Sequence, residues 1–327
     1  MRGAIEVREP SDDDFETVAG IAAECQAAWA PDEPPTPAAE LAAWYRTAPP
    51  VEPQLLFLAG DAGYALVDLP SAGSNEHMGT SWSFEVRPAS RRRGVGRMLL
   101  ETVREALSAA DRRLLVAVTR VGDEGSASFA RAVGARPDLV ENGNRCATAE
   151  LDRPMLQSWV DDARTSAAGY SLITIDGPVP DELVDDMAAV VLAMNDAPHS
   201  ANTEPASFSP EVERQSQDRW EAAGMRILTA CARHERSGDL AGFTTMVASP
   251  HRPWLASPYG TGVLHAHRGR GIGRWLKAVN ALRLLDDHPL VTTIETGNAA
   301  TNEHMLAINH AMGFRRWVAW RSWELDL

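Results

Sequence analysis

Two stretches far apart in this chain repeat one local pattern: a strand, a turn of arginine and glycine, then an amphipathic helix. A repeat of that length points to two copies of one domain. In the first copy Ser81-Trp-Ser-Phe-Glu-Val86 alternates small or polar with apolar residues. Arg91-Arg-Arg-Gly-Val-Gly96 follows and leads into Met98, Leu99, Val103 and Leu107 at helical spacing. In the second, Val263 precedes Arg268-Gly-Arg-Gly-Ile-Gly273, and Trp275, Leu276, Val279, Leu282 and Leu285 carry the apolar stripe. Gly94 and Gly271 stand 177 positions apart.

The agreement extends beyond the turns. Each helix is followed by an apolar strand, Leu114–Val118 and Leu290–Ile294. A short helix then ends in Ala132-Val-Gly-Ala135 and in Ala311-Met-Gly-Phe314, with glycine where a helix C-terminus needs the left-handed conformation. Upstream, Ala4–Arg8 and Ser171–Ile175 read as strands that precede helical runs. Leu55–Leu58 with Tyr64–Leu69, and Ile227–Ala232 with Leu240–Val247, read as hairpins. The order expected twice over is strand, helices, three strands, helix, strand, helix, strand. Residues 1–152 and 170–327 are the two expected domains, with the polar, helix-permissive segment 153–169 as linker.

Composition narrows the function. The 327 residues are about twice the usual size of a single domain. Forty-five acidic against 31 basic side chains give a formal charge of −14, which argues against a nucleic-acid surface and favours a cationic small partner. Lys277 is the only lysine, so the abundance of arginine is compositional and says nothing about phosphate binding. Cys25, Cys146 and Cys231 lie far apart with no metal-ligand spacing, which points to no disulfide framework, no metal site and a reducing cytoplasm. No apolar run is long enough for a membrane span, and Met1–Pro10 lacks the apolar core of a signal peptide.

An Arg-x-x-Gly-x-Gly turn at a helix N-terminus exposes several amide N–H groups, reinforced by the helix dipole, and lets a phosphate approach without a Cβ in the way. A Walker loop is excluded by the missing Gly-Lys-Ser/Thr, and a dinucleotide fold is disfavoured because the strand before the turn is not the first of its domain.

This pattern resembles the GCN5-related N-acetyltransferases, in a tandem arrangement covering nearly the whole chain. Their acyl-CoA signature is Arg/Gln-x-x-Gly-x-Gly/Ala, five residues after a strand valine. Val86-Arg-Pro-Ala-Ser-Arg91 and Val263-Leu-His-Ala-His-Arg268 both keep that spacing, although His265 stands where the family often has proline. The resemblance implies an α/β (α+β) fold of two tandem domains, each a mixed, mostly antiparallel twisted sheet flanked by helices. It implies acetyl-CoA as cofactor, with its pyrophosphate on the turn formed by Arg268, Gly269, Arg270, Gly271, Ile272, Gly273 and Arg274. The pantetheine arm would lie along splayed strands, with the thioester near Val263, Leu264 and His265. Asn298, Asn302 and Asn309 match the later motif, in which asparagines meet the cofactor arm. Val86, Arg91, Gly94 and Gly96 are the first copy's equivalents.

The two halves differ in that later motif. The first has Arg120-Val-Gly-Asp-Glu-Gly-Ser-Ala-Ser-Phe129, without asparagine, so catalysis is assigned to the C-terminal half and the N-terminal half reads as degenerate. Acetylation needs a neutral amine, a polarised thioester carbonyl and a proton for the departing thiolate. An N–H near Leu264 is the expected carbonyl partner. The family's tyrosine, four residues before the final glycine, is replaced by Asn309, and by Ala130 in the first copy. Asn309 can hydrogen-bond sulfur but cannot act as an acid. Water, His304, His310 and Tyr259 are the candidate proton donors. Asp196 and His199, in the loop closing the second half's first helix, and Glu295 beside the splay are the candidate bases, with Glu85 in that role if the first half were active. The expected reaction is acetyl transfer to a small amine by direct attack in a ternary complex. A non-catalytic acyl-CoA sensor or scaffold, and a mycothiol-synthase-like acylation of a cysteinyl conjugate, are the alternatives.

Overall fold

A computed structural model of the chain describes residues 9–327, so the strand read at Ala4–Arg8 lies outside the described residues. The elements run α1 (Asp12–Ala27), α2 (Ala38–Arg46), β1 (Gln54–Leu58), β2 (Gly63–Asp68), β3 (Met78–Val86), α3 (Val95–Ala109), β4 (Leu114–Arg120), α4 (Glu124–Ala132) and β5 (Arg136–Ala147). They continue α5 (Arg153–Ser166), β6 (Tyr170–Asp176), α6 (Val184–Val191), α7 (Pro210–Ala222), β7 (Arg226–His234), β8 (Leu240–Ala248), β9 (Leu255–Val263), α8 (Ile272–Asp287), β10 (Thr293–Ala299), α9 (Glu303–Ala311) and β11 (Arg315–Asp326). The fold is mixed α/β, with mostly antiparallel sheets flanked by helices.

By packing, the compact units do not follow chain order. One comprises the chain up to Leu139 together with Trp320–Leu327, and the other Val140–Ala319. The first unit's sheet has the order β1-β2-β3-β4, completed by the end of β11, where Trp320–Asp326 pair antiparallel with Arg120–Leu114. The second has the order β5-β10-β9-β8-β7-β6. All of these pairings are antiparallel except β3 with β4 and β9 with β10, which flank the glycine turns and their helices.

Local chemistry explains the elements. Ser11 and Asp14 form a capping box at the start of α1, and Ser209 caps α7. In the first unit Leu99, Val103 and Leu107 of α3 are buried with Phe57, Ala65 and Val67 of the hairpin. In the second, β7 and β8 are buried almost throughout because α8 covers one face and α6 the other. Of residues 153–169, read from sequence as a linker, Arg153–Ser166 form α5, capped by Asp152 and entered through Pro154. Its Leu156 is fully buried and Trp159 is 8 % exposed, in one cluster with Leu284 and Ile294, so α5 is a working part of the second unit's core. The expected strand at Leu290–Ile294 begins only at Thr293. Val291 N–H donates to the His288 carbonyl in a turn, and Leu290 is exposed.

Candidate active site

In the second unit β9 ends at Val263, and the chain turns through His265–His267 into two glycines in the left-handed region, Gly269 (φ 77°) and Gly271 (φ 71°). Tyr170 of β6 anchors this turn through a 2.7 Å hydrogen bond to His267 Nδ1. Arg268 Nε donates to the Val263 carbonyl at 3.0 Å, and Arg270 Nη1 donates to the carbonyls of Ala266 and Arg268. Arg91 Nε holds the Val86 carbonyl in the first unit, also at 3.0 Å, and Gly94 has φ 89°. The five-residue spacing seen in sequence is thus the reach of an arginine folded back onto its own strand. Trp275 N–H is the first to reach a helical acceptor, Gly271 O at 2.9 Å, so the six amides from Gly269 to Arg274 have no main-chain partner. That leaves a row of donors at the positive end of a helix of 16 residues.

Beside the turn the sheet opens. β9 and β10 pair only at Leu255–Thr293 and Ala256–Ile294. Beyond them β9 stays with β8 as far as Val263, while β10 continues along β5. The side chains bordering this gap are polar. Thr261 hydrogen-bonds Thr244 at 2.7 Å, Thr296 is buried, and Asn309 of α9, with no exposed surface, donates from Nδ2 to Asn298 Oδ1 at 2.7 Å. Asn309 Oδ1 is buried without a partner. Asn302 has a different job: it caps α9, accepting from Met305 N–H at 3.3 Å.

The first unit opens in the same way, β3 and β4 pairing only from Met78–Leu114 to Ser81–Ala117. There the gap is apolar. Phe84 stands at the position of Thr261, and its ring lies 6.3 Å from that of Phe129 of α4. Phe129 in turn packs on the turn's second glycine, 3.5 Å from where a Cβ of Gly96 would be.

The other expected site residues are dispersed. Asp196 forms an ion pair with Arg268. Glu295 is paired with Arg145 at 2.6 Å, and the Arg145 guanidinium stacks 3.7 Å from the Trp317 ring. His199 and His265 are exposed, and His199 Nδ1 lies 2.9 Å from the Ser200 carbonyl. His304 and His310 are on the exposed face of α9, away from Asn309. Tyr259 is the extra residue of a bulge between Thr245–Gly260 and Met246–Pro258, and its ring packs on Trp220 with centroids 4.4 Å apart. Leu264 N–H itself is committed to the Ala241 carbonyl at 2.9 Å, so it is not open to a thioester carbonyl.

In the first unit Glu85 lies beside Cys25, Tyr64 and Arg91. Burial lifts its carboxyl to about 7, and Cys25 and Arg91 oppose that shift. Burial, then the proximity of Glu85, pushes the Cys25 thiol up to about 11. Sequence reading named Glu85 but could not show its burial, nor the role of Phe129 in filling its gap.

The fold has close counterparts among solved structures. A tandem protein of the GCN5-related N-acetyltransferase fold from the clavulanic acid biosynthesis pathway superposes with TM-score 0.79 at 26% identity, over 99% of this chain and 98% of that one. The chain thus has the fold of a tandem GCN5-related N-acetyltransferase. A GCN5-related N-acetyltransferase from Sphaerobacter thermophilus matches this chain with TM-score 0.68 at 18% identity, over 98% and 95% of the two chains. One from Kribbella flavida matches with TM-score 0.54 at 18% identity, over 94% and 95%. No family sequence profile matches the chain, and no curated protein matches it in sequence. Among the described residues no helix is long and apolar enough to cross a membrane, and no cluster of metal-ligating side chains occurs.

Proposed function

We propose that the C-terminal half binds acetyl-CoA and transfers its acetyl group to a small amine by direct attack in a ternary complex. The observation that carries this reading is the contrast between the two gaps. Both glycine turns present free amides, but only β9 and β10 open onto polar groups, whereas Phe84 and Phe129 occupy the first gap. The residues fit the cofactor. The Gly269–Arg274 amides suit a diphosphate, and the orphaned Asn309 Oδ1 suits an amide N–H of the pantetheine arm.

Bound acetyl-CoA supplies an activated acetyl group. The protein's part is to hold the diphosphate on the turn, to thread the arm between β9 and β10, and to leave the acceptor room against β9. The acidic balance of the chain suits a cationic acceptor. Asp196 and Glu295 are both ion-paired, so the acceptor amine loses its proton to solvent or to His199, the exposed candidate in the loop after α6. Calorimetric titration with acetyl-CoA, followed by mass spectrometry of an amine panel, tests the reading. One bound cofactor per chain and an acetylated amine are expected. Binding without turnover on any amine would favour the sensor reading, and no binding would overturn both.

A further inference from the structure

Lys277 is left unused by the site as described. It is 6 % exposed, on the second turn of α8. The internal repeat shows how this differs from ordinary packing. Six residues after its left-handed glycine the first copy has Leu100, 5 % exposed in an apolar cluster with Phe57, Leu99, Val103 and Leu115. Six residues after Gly271 the second copy has the chain's only lysine. An ammonium in a leucine's place is unfavourable unless its charge or its proton is used.

Helix geometry fixes where Lys277 faces. One turn earlier Gly273 lies against Val263 of β9, 3.6 Å from where its Cβ would be. One turn later Asn280 donates to the carbonyls of Leu228 and Thr244, both at 3.0 Å. Ala281, on the other flank, packs with Ala256 of β9 and Ile294 of β10. On the helix surface Lys277 falls between Asn280 and Ala281, one turn toward the gap, so its stem is directed over the Thr244–Thr261 pair to the opening between β9 and β10. Burial alone holds its pKa down, to about 8, and no charged side chain from the surrounding strands or helices contributes. The amine therefore exchanges its proton near neutral pH.

We propose that Lys277 is the catalytic residue that protonates the sulfur leaving the acetyl group, an inference that rests on the acetyl-CoA site proposed above. The acceptor nitrogen's lone pair forms the C–N bond, the C–S bonding pair passes to sulfur, and sulfur takes a proton from Nζ. Lys277 is left neutral and regains, through solvent, the proton that the acceptor nitrogen gives up. Thr244, Thr261, Thr296, Asn298 and Asn309, which also border the gap, hold no proton acidic enough for this step.

CoA itself is the probe, which makes the test independent of the acceptor. With CoA bound, thiolate absorption in the ultraviolet is followed from pH 6 to 10 in the native protein and in Lys277→Met, with calorimetry to confirm binding. The bound thiol is expected to ionise about one pH unit or more lower in the native protein than in Lys277→Met. Lys277→Arg should keep the lowered value, because it keeps the charge, yet lose turnover because it cannot give up the proton. Lys277→Gln provides the same comparison should Lys277→Met fail to fold. Identical thiol titration in native and neutral variants, with CoA bound to both, overturns the role of Lys277 and leaves the cofactor site standing. Failure of the native protein to bind CoA overturns the site, and this inference with it.

Discussion

Arg268 holds Asp196 at 2.5 Å through Nη2 while its Nε grips the carbonyl of Val263. One guanidinium thus ties the end of β9 to the loop after α6. Asp196 is thereby committed to bracing the turn.

Asp196→Asn is therefore expected to leave kcat within about threefold of native and to raise KM for acetyl-CoA, since an ion pair this exposed contributes no more than about 1 kcal/mol. Steady-state kinetics decides. A loss of about a hundredfold in kcat at unchanged KM would make Asp196 the base after all.

Gly271→Asp places a carboxylate among the free amides and is expected to abolish acetyl-CoA binding. Gly271→Asn shares the backbone strain at φ 71° but not the charge, and should retain measurable affinity. Gly94→Asp should spare binding, because Phe129 already fills the gap beside that turn. Calorimetry on the three variants checks the division of labour, and equal loss from Gly94→Asp and Gly271→Asp would contradict it.

Glu85 gives a stability that depends on pH. Burial raises its folded pKa from 4.5 to about 7. The fold is therefore favoured while the carboxyl is protonated. That contribution is complete below about pH 4.5 and is lost as pH rises through 7. Glu85→Gln removes the dependence. Thermal melts should find the variant close to native at pH 4 and more stable at pH 8, by roughly 1–3 kcal/mol. A difference that is flat across this range would rule out Glu85 as the cause.

Asn298→Ala would leave the Asn309 amide with no partner inside the protein, at an expected cost of about 1–3 kcal/mol in urea unfolding. Replacing both, with Asn309→Leu added, should recover part of that loss, because an apolar pair leaves no buried polar group unsatisfied.

Leu156→Ala tests whether α5 belongs to the second unit's core. A fully buried leucine there should cost about 2–5 kcal/mol, whereas a linker residue would cost almost nothing. Denaturant melts resolve the two outcomes.

Much of the fold was legible in the residues. The period-two and helical patterns located most strands and helices, since each element buries one face and the pattern records which. The glycines predicted the left-handed helix ends at Gly134 (φ 91°) and Gly313 (φ 97°), because few other residues adopt that conformation cheaply. The role of α5 was missed because its polar face dominates its composition, while Leu156, Trp159 and Ala163, which do the packing, are three residues among 14. The Asp196–Arg268 and Glu295–Arg145 pairs join residues 72 and 150 positions apart, a proximity that no local pattern encodes.

What the sequence determined by itself is the duplicated strand-turn-helix grammar and the donor row at each helix start, because both follow from short-range backbone rules. The tertiary structure decided which copy can admit an arm beside its turn, and which carboxylates are neutralised. It also decided that Lys277 is buried without a counter-charge. Those outcomes depend on which side chains meet across strands and helices distant in the chain, where Phe129 fills one gap and Asn309 borders the other. Burial and pairing, the two causes that set the chemistry of an ionisable group, exist only once those contacts have formed.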